Sequence, residues 1–581
     1  MRNSLVRGIA TAALLAAAAS GRSARCDDED DNPSSNDLLV FNTCPPYSKL
    51  GMDHTGWPRW WFANRTAILK PSYRAMTEPA DEPTPGEAAA RSRARDALHA
   101  ALASKNPLVS SEAALALGRL GDPRDASVLA KILADEDIMA TRRLHRYAAL
   151  GLGFIARGDA AQAAEARTAL VGALERSRGQ RDRYEFFHAN CAYALAMRGD
   201  DAALPALLDL RRQGLAAADA RTSIDTEILG PIVYALGALG GESALPEIEE
   251  HLKGGKLAGG GAEDTAWAAC HALSRVGGES ARRILRSAAT DSREPVRRLA
   301  IEALGTVTDD KDDDTAAVLR AALTGDKDPE CRWLAAISLG RSGHASATAA
   351  VLAAFDGGEA VNADHAPFAI ALGLCARSHP DPAVTKVLLT ALDRTNDLDE
   401  RCGLCAALGL ARAEAARPHL AEIVGKSGSG VTASYAAYAL GMTGVGDAER
   451  KVLHEAVARP ADYLLRREAS LALGALHDPA IIAQLRDLAG ASKNPDIERA
   501  GAFISLGRVG HYSDVDFFLA QLADRDVHEQ LRACVLHGLG LLLDRREGAL
   551  LGRVAQDSRW FNTILGRWRW PPAFDVNHLV D

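Results

Sequence analysis

The chain has 581 residues, 47% of them hydrophobic and 25% charged, with 67 Lys plus Arg against 76 Asp plus Glu and a net charge of −9. That composition excludes disorder throughout, and the length excludes one compact core, because such cores stop growing near about 250–300 residues. The charge excludes a global basic field for nucleic acid or anionic lipid, and aromatics at 5% leave much of the packing to small residues.

Arg2 and Arg7, an apolar stretch from Ile9 to Ala19, then Ser20 and Gly21 have the layout of a secretory signal peptide over residues 1–20. The mature chain is therefore expected to be exported, to the periplasm or cell envelope or outside the cell. The apolar stretch is shorter than the roughly 18 residues that cross a bilayer, so no transmembrane span is expected in the mature chain. Residues 21–37, with the run Asp27 to Asp31, read as an acidic flexible linker that lacks the spacing of a calcium loop. Residues 38–85 gather Trp57, Trp60, Trp61, Phe62 and several prolines without helical or alternating period, and are expected to form an irregular N-terminal cap. Cys26 and Cys44 are free to pair in an oxidising compartment.

From residue 110 one phrase recurs, Ala-Leu-Gly at the end of an amphipathic run. Its anchors fall at Gly118, Gly151, Ala196, Gly237, Ser274, Gly305, Gly340, Gly373, Gly409, Gly441, Gly474, Gly507 and Gly540, and leucine precedes each of them. Each unit reads as two helices, for instance an inner one from Pro295 to Leu304 and an outer one from Ala126 to Leu133. The anchor glycine is expected at the inner helix terminus, where a left-handed conformation is tolerated. Neither helix buries its apolar face alone, so stacking gives an all-α fold, an α-solenoid of about 13 helical hairpins over residues 86–557. Trp560, Phe561, Trp568, Trp570 and Phe574 break the phrase, and residues 558–581 are expected to cap the exposed last unit.

The stretches Asp291 to Val307 and Asp326 to Gly343 resemble HEAT repeats, and the period near 33 resembles the short HEAT-like variety first associated with phycobilisome lyases. The resemblance implies scaffolds, adaptors, chaperone-like proteins and a few enzymes. Arginine lies eight residues before the anchor at Arg143, Arg297, Arg332, Arg401, Arg466, Arg499 and Arg532, with aspartate six residues earlier at Asp137, Asp291, Asp326 and Asp526. In HEAT-like families that pattern resembles a structural ladder between units. A cationic groove is the alternative, but the aspartates would neutralise its field.

No catalytic, cofactor or metal site is expected. Cys402 and Cys405 form a CxxC without the histidine of a haem attachment site or a second pair to complete a zinc site. Deoxyhypusine hydroxylase, a HEAT-like enzyme, binds iron through His-Glu pairs on inner helices, and no unit here has histidine seven before its anchor. The glycine cluster from Gly254 to Gly261 lacks the order of a phosphate-binding loop. Residues seven and three before the anchor are expected on the concave surface, where Tyr193, Tyr234, Trp267, His271 and Trp333 would form a strip for an extended partner. The leading expectation is thus an exported, non-enzymatic scaffold or binding protein for a protein or other polymer, not nucleic acid. The alternatives are a structural envelope component and a lyase- or isomerase-type enzyme.

Overall fold

The computed structural model describes residues 84–135, 142–155, 160–177, 187–219, 229–253, 260–356, 365–426, 430–459 and 462–544. The expected signal, linker, N-terminal cap apart from Thr84 and Pro85, tail at 558–581, and Cys26 and Cys44 lie outside them. All described residues belong to one compact unit, Leu39–Asp581.

Thirteen hairpins follow one another, each an outer helix and then an inner one, and no strand occurs among the described residues. They are α1–α2 (Pro85–Leu102, Pro107–Leu120), α3–α4 (Ala126–Ala134, Arg142–Phe154), α5–α6 (Ala160–Ser177, Phe187–Arg198) and α7–α8 (Leu204–Asp219, Leu229–Gly240). Next come α9–α10 (Leu245–Glu249, Gly260–Val276), α11–α12 (Gly278–Ala288, Glu294–Val307), α13–α14 (Asp313–Gly325, Pro329–Ser342) and α15–α16 (Ala347–Asp356, His365–Ser378). The series ends with α17–α18 (Pro382–Arg394, Leu398–Leu410), α19–α20 (Arg417–Gly425, Gly430–Thr443), α21–α22 (Asp447–Ala458, Tyr463–Ala475), α23–α24 (Ala480–Gly490, Asp496–Val509) and α25–α26 (Val515–Ala523, Glu529–Leu543).

Local chemistry sets the helix ends. Asn106, Asp328, Asp397 and Asp462 cap inner helices by accepting from backbone N–H groups of the first turn. Gly121 and Gly343 close α2 and α14 in the left-handed region, at φ 74° and 68°. The anchor glycines do something else, which corrects the expectation that they end the inner helices. Gly305 lies within α12, which runs two residues further to Val307. A Cβ on Gly305 would stand 2.8 Å from Ser338 Cα in the next inner helix, and one on Gly118 would stand 2.3 Å from Gly151 Cα. The glycines are needed because backbones approach there, and only hydrogen fits.

The contacts also fix the register. The anchor meets the residue two before the next anchor: Gly237 meets Ala272, Gly373 meets Ala407, Gly409 meets Ala439 and Gly441 meets Ala472. By this rule the second unit is anchored by Gly153, which meets Ala194, and not by Gly151. The local sequence Leu-Gly-Leu-Gly allows both readings. Burial agrees, since Leu152 is fully buried and Leu150 is 9% exposed, whereas the leucine before every other anchor is fully buried.

The solenoid closes on itself. Each inner helix packs extensively on the next, from α2 through α26, and α26 then packs on α2. Gly540 meets Ala116, two before Gly118, so the closing interface repeats the internal register. Outer helices α25 and α1 also touch. Across this seam Arg91 donates to the Leu543 carbonyl at 2.9 Å and to the Leu120 carbonyl, clasping the ends of the last and first inner helices. Arg93 pairs with Asp516 at 2.8 Å, and His537 Nδ1 meets Glu112 Oε2 at 3.0 Å with both side chains buried. The open terminal face that the tail was expected to cover is therefore already covered by the first unit.

Candidate functional site

A closed ring of hairpins has two surfaces to offer, the outer helices and the ring interior, and helix geometry says which residues face inward. Residues follow at about 100° on an inner helix. The anchor faces the following unit and the residue two before it faces the preceding unit. The position eight before faces the outer layer, because Arg466 and Arg499 there donate to carbonyls of outer helices α21 and α23, at Val457 (2.9 Å) and Ala489 (3.0 Å). The opposite side, which is the interior, then takes the positions three, six and ten before the anchor and one after it. The position seven before lies at its edge.

This assignment places the expected binding residues. Tyr193, Tyr234 and His271 are three before their anchors, and Trp267 and Trp333 seven before. They are not a solvent-facing strip. Tyr193, Tyr234, Trp267, His271 and Trp333 are 3, 1, 2, 4 and 7% exposed. Tyr193 packs edge-on to Tyr234 with ring centroids 5.4 Å apart, and Trp267 lies 5.0 Å from His271. Burial, reinforced by Arg341, lowers His271 to about 3. The expectation of an exposed groove is corrected accordingly: the interior is lined by these aromatics, but they are covered.

The same positions carry charge. Arg119, Arg275, Arg341 and Arg508 stand one after their anchors, and Glu112, Glu302 and Glu468 stand three or six before theirs. Glu112, Glu302 and Glu468 are buried, as are Tyr435, Tyr438 and His537. None of these side chains is free. At the interfaces between units the residues are instead glycine, alanine and serine, so the larger and polar side chains are concentrated where neighbouring helices do not need them.

The arginine ladder is built differently from its expected form. Arg297 does reach the next unit, with Nε and Nη2 at 2.8 and 2.9 Å from Asp326, and this holds the Asp326 carboxyl below its ordinary range. Arg466 also reaches the next unit, 3.5 Å from Glu498, and these arginines otherwise mainly cap carbonyls where the outer helix turns into the inner one. Arg332 donates to Asp326, Arg401 to Thr395, and Arg532 to Asp524 and Val527. Asp291 is held by Arg293, Asp526 is exposed, and Asp137 lies outside the described residues. Arg143 is ten before Gly153, an interior position, and His145 takes the capping place, 3.3 Å from the Asp135 carbonyl.

A second ladder, on the outer layer, was missed. Arg95, Arg286 and Arg486 on outer helices reach Asp125, Asp312 and Asp514 of the next unit. Asp125 and Asp514 are fully buried. The available signal was an aspartate seven after the anchors Gly118, Gly305 and Gly507.

The seven described cysteines are buried, and burial pushes Cys375 and Cys405 up to about 12, far from a reactive thiolate. No group of three or more His, Cys, Asp or Glu able to hold a metal occurs among the described residues. His454 bonds Gln484 and Asp478, and His528 bonds Gln530 and Asp496. Most of the glycine cluster, at 254–259, lies outside the described residues. Among the described residues no helix is long and apolar enough to cross a membrane.

The architecture is that of an all-α helical-repeat solenoid. Residues 86–151, 255–339 and 290–366 match the family of HEAT repeats. No curated protein matches it significantly. Similar solved structures include human deoxyhypusine hydroxylase, at 23% identity over 47% of this chain and 98% of that one, with a TM-score of 0.23. An engineered protein is similar at 18% identity over 66% of this chain and 98% of that one, with a TM-score of 0.25. Kap95p, in a structure with RanGDP, is similar at 12% identity over 80% of this chain and 67% of that one, with a TM-score of 0.32.

Proposed function

We propose that this protein is an exported, non-catalytic ring scaffold that holds a protein or other polymer partner. The carrying observation is the division of labour on the inner helices. Small residues make the interfaces between units, while tyrosine, tryptophan, histidine, arginine and glutamate collect at interior positions. Rigid aromatics and arginine are the side chains that concentrate binding energy in protein interfaces, because they offer large area with few rotors. The signal-like layout of residues 1–20 supports export, to the periplasm, the cell envelope or the medium.

The test uses a photoreactive phenylalanine analogue at interior Tyr438 or at exposed Lys386 on α17, introduced into the full chain in its native host. Intermolecular cross-links to one defined partner, from either position, support a scaffold. Their absence from both favours the second reading, a structural envelope component. Turnover of a substrate by the purified chain would refute the non-catalytic assignment.

A further inference from the structure

The thirteen junctions between neighbouring inner helices are not alike. At ten of them the anchor is a glycine on which a Cβ would stand within 3.0 Å of a backbone atom of the next helix, from Gly118 against Gly151 to Gly540 against Ala116. Such junctions are stiff, because main chain meets main chain with no side-chain torsion between them, and a change of crossing angle brings either a clash or a gap. Three junctions break the rule. Ala196 and Ser274 are anchors that carry a Cβ, which holds the next helix off. Ser274 also turns its hydroxyl back to the His271 carbonyl of its own helix at 2.8 Å, whereas Ser338 sends its hydroxyl across a stiff junction to Ile301 at 2.9 Å. At Gly474 a Cβ would meet only the Val509 side chain, 2.5 Å from Cγ1, with no backbone atom of α24 within 4 Å.

The packing follows the anchors. Among the described residues, α6 with α8, α10 with α12 and α22 with α24 are the most loosely packed of the thirteen inner pairs. Low local packing density is where a folded chain moves at least cost. Each loose junction is still tied by a long polar side chain: Arg167 to Asp200 at 2.9 Å, Arg293 to the Leu252 carbonyl, and Arg450 to Asp478 at 2.9 Å. A junction tied by a flexible arginine and slack between its inner helices can rotate without coming apart.

Their placement sets the motion. Stiff junctions join α24, α26, α2, α4 and α6 into an arc of five hairpins, and α12 through α22 into an arc of six, with α8 and α10 as a short link. The α22–α24 junction thus stands across the ring from the other two. Three hinges in a closed loop make a triangle, which cannot change shape in its own plane; the freedom that remains is to fold about the line joining opposite hinges. We propose that the ring is a two-jaw clamp, whose two rigid arcs fold toward each other about the α22–α24 junction on one side and the α8–α10 link on the other, while the seam stays shut. The clamp belongs to the chain itself, and the scaffold reading adds only a partner for the jaws to hold.

Distances between spin labels on the purified full chain test it. The labels are attached through a ketone amino acid, which spares the native cysteines, at exposed residues of outer helices. Asp96 and Lys386 lie near the middles of the two arcs, so their separation reads the fold directly. Arg320 with Lys451, and Glu165 with Asp487, each span four stiff junctions within one arc, and the second pair crosses the seam. Frozen-state distance distributions capture every populated conformation, and the Asp96–Lys386 distribution is expected to be at least about twofold wider than either control. Equal widths overturn the clamp, whether all are narrow, as in a rigid ring, or all broad, as in a uniformly soft one. A broad Glu165–Asp487 distribution would put the motion at the seam and also overturn it. No partner enters these measurements, so the clamp and the scaffold reading fail separately.

Discussion

Closure of the ring is open to a direct covalent test. A Cβ placed on Gly540 would lie 3.0 Å from the Cβ of Ala116, although the two residues are 540 − 116 = 424 positions apart. A disulfide needs a Cβ separation of about 3.5–4.5 Å, so Gly540→Cys with Ala116→Cys requires the two helices to part by under about 1 Å. The internal interface Gly441→Cys with Ala472→Cys has the same register, at 2.9 Å, and serves as control. The seven described native cysteines are buried, with thiols pushed up, and do not compete readily. Both pairs should oxidise in the folded protein, as read by peptide mapping under non-reducing conditions. Cross-linking a loop of this length corresponds to about 6 kcal/mol of loop-closure entropy, an upper bound because the ends of a repeat array open before its middle. The seam disulfide should therefore raise the unfolding midpoint more than the control does. If the control forms and the seam pair stays reduced, the ring is open in solution.

Three further outcomes are expected. Gly118→Ala should destabilise by about 1–3 kcal/mol despite a helix-propensity gain of about 1 kcal/mol, because its Cβ would lie 2.3 Å from Gly151 Cα; an equal or higher melting temperature would show that the helices can part freely. Trp267→Ala should cost about 3–5 kcal/mol in chemical denaturation, since the ring is 2% exposed, and a loss below 1 kcal/mol would return it to the class of exposed ligand-facing residues. His271 is held neutral in the fold down to about pH 3, whereas the unfolded chain takes up a proton below about pH 6.5. Its contribution is therefore complete above about pH 6.5 and is lost as pH falls toward 3, by about 1.4 kcal/mol per unit. His271→Gln should flatten the stability difference between pH 7 and pH 5 by about 2 kcal/mol, and parallel pH profiles would refute the assignment.

The repeat was legible because each unit carries its own signature. Leucine before the anchor is buried against the hairpin partner in all thirteen units, and any deviation would leave a cavity. Register was legible except where Leu150, Gly151, Leu152 and Gly153 offer two equivalent phrases, and there only the contact with Ala194 decides. The role of the glycines was misassigned because a helix end and a backbone approach both select for a missing Cβ. The interior was misjudged for a related reason. Spacing tells that Tyr193 and Tyr234 share a face, but whether that face is wet depends on what lies opposite, and a linear pattern carries no such information. The arginines eight before the anchor were legible as a pattern, but their bonds to backbone carbonyls were not, since carbonyl acceptors leave no trace in sequence.

Closure itself is a global property of a local rule. Each interface rotates one hairpin relative to the last, and a ring results only if thirteen such rotations return the chain to its start. Nothing in any single unit states that sum. The seam nevertheless carries residues that an open end would not require: Gly540 opposite Ala116, a buried Glu112 opposite His537, and Arg91 placed to bond the ends of two inner helices 423 residues apart in sequence, Leu120 and Leu543. A terminal repeat exposed to solvent favours a polar outer face, whereas α26 is buried on every side from Leu531 to Leu543 save at Arg532. Those features make the last hairpin a ring member by composition.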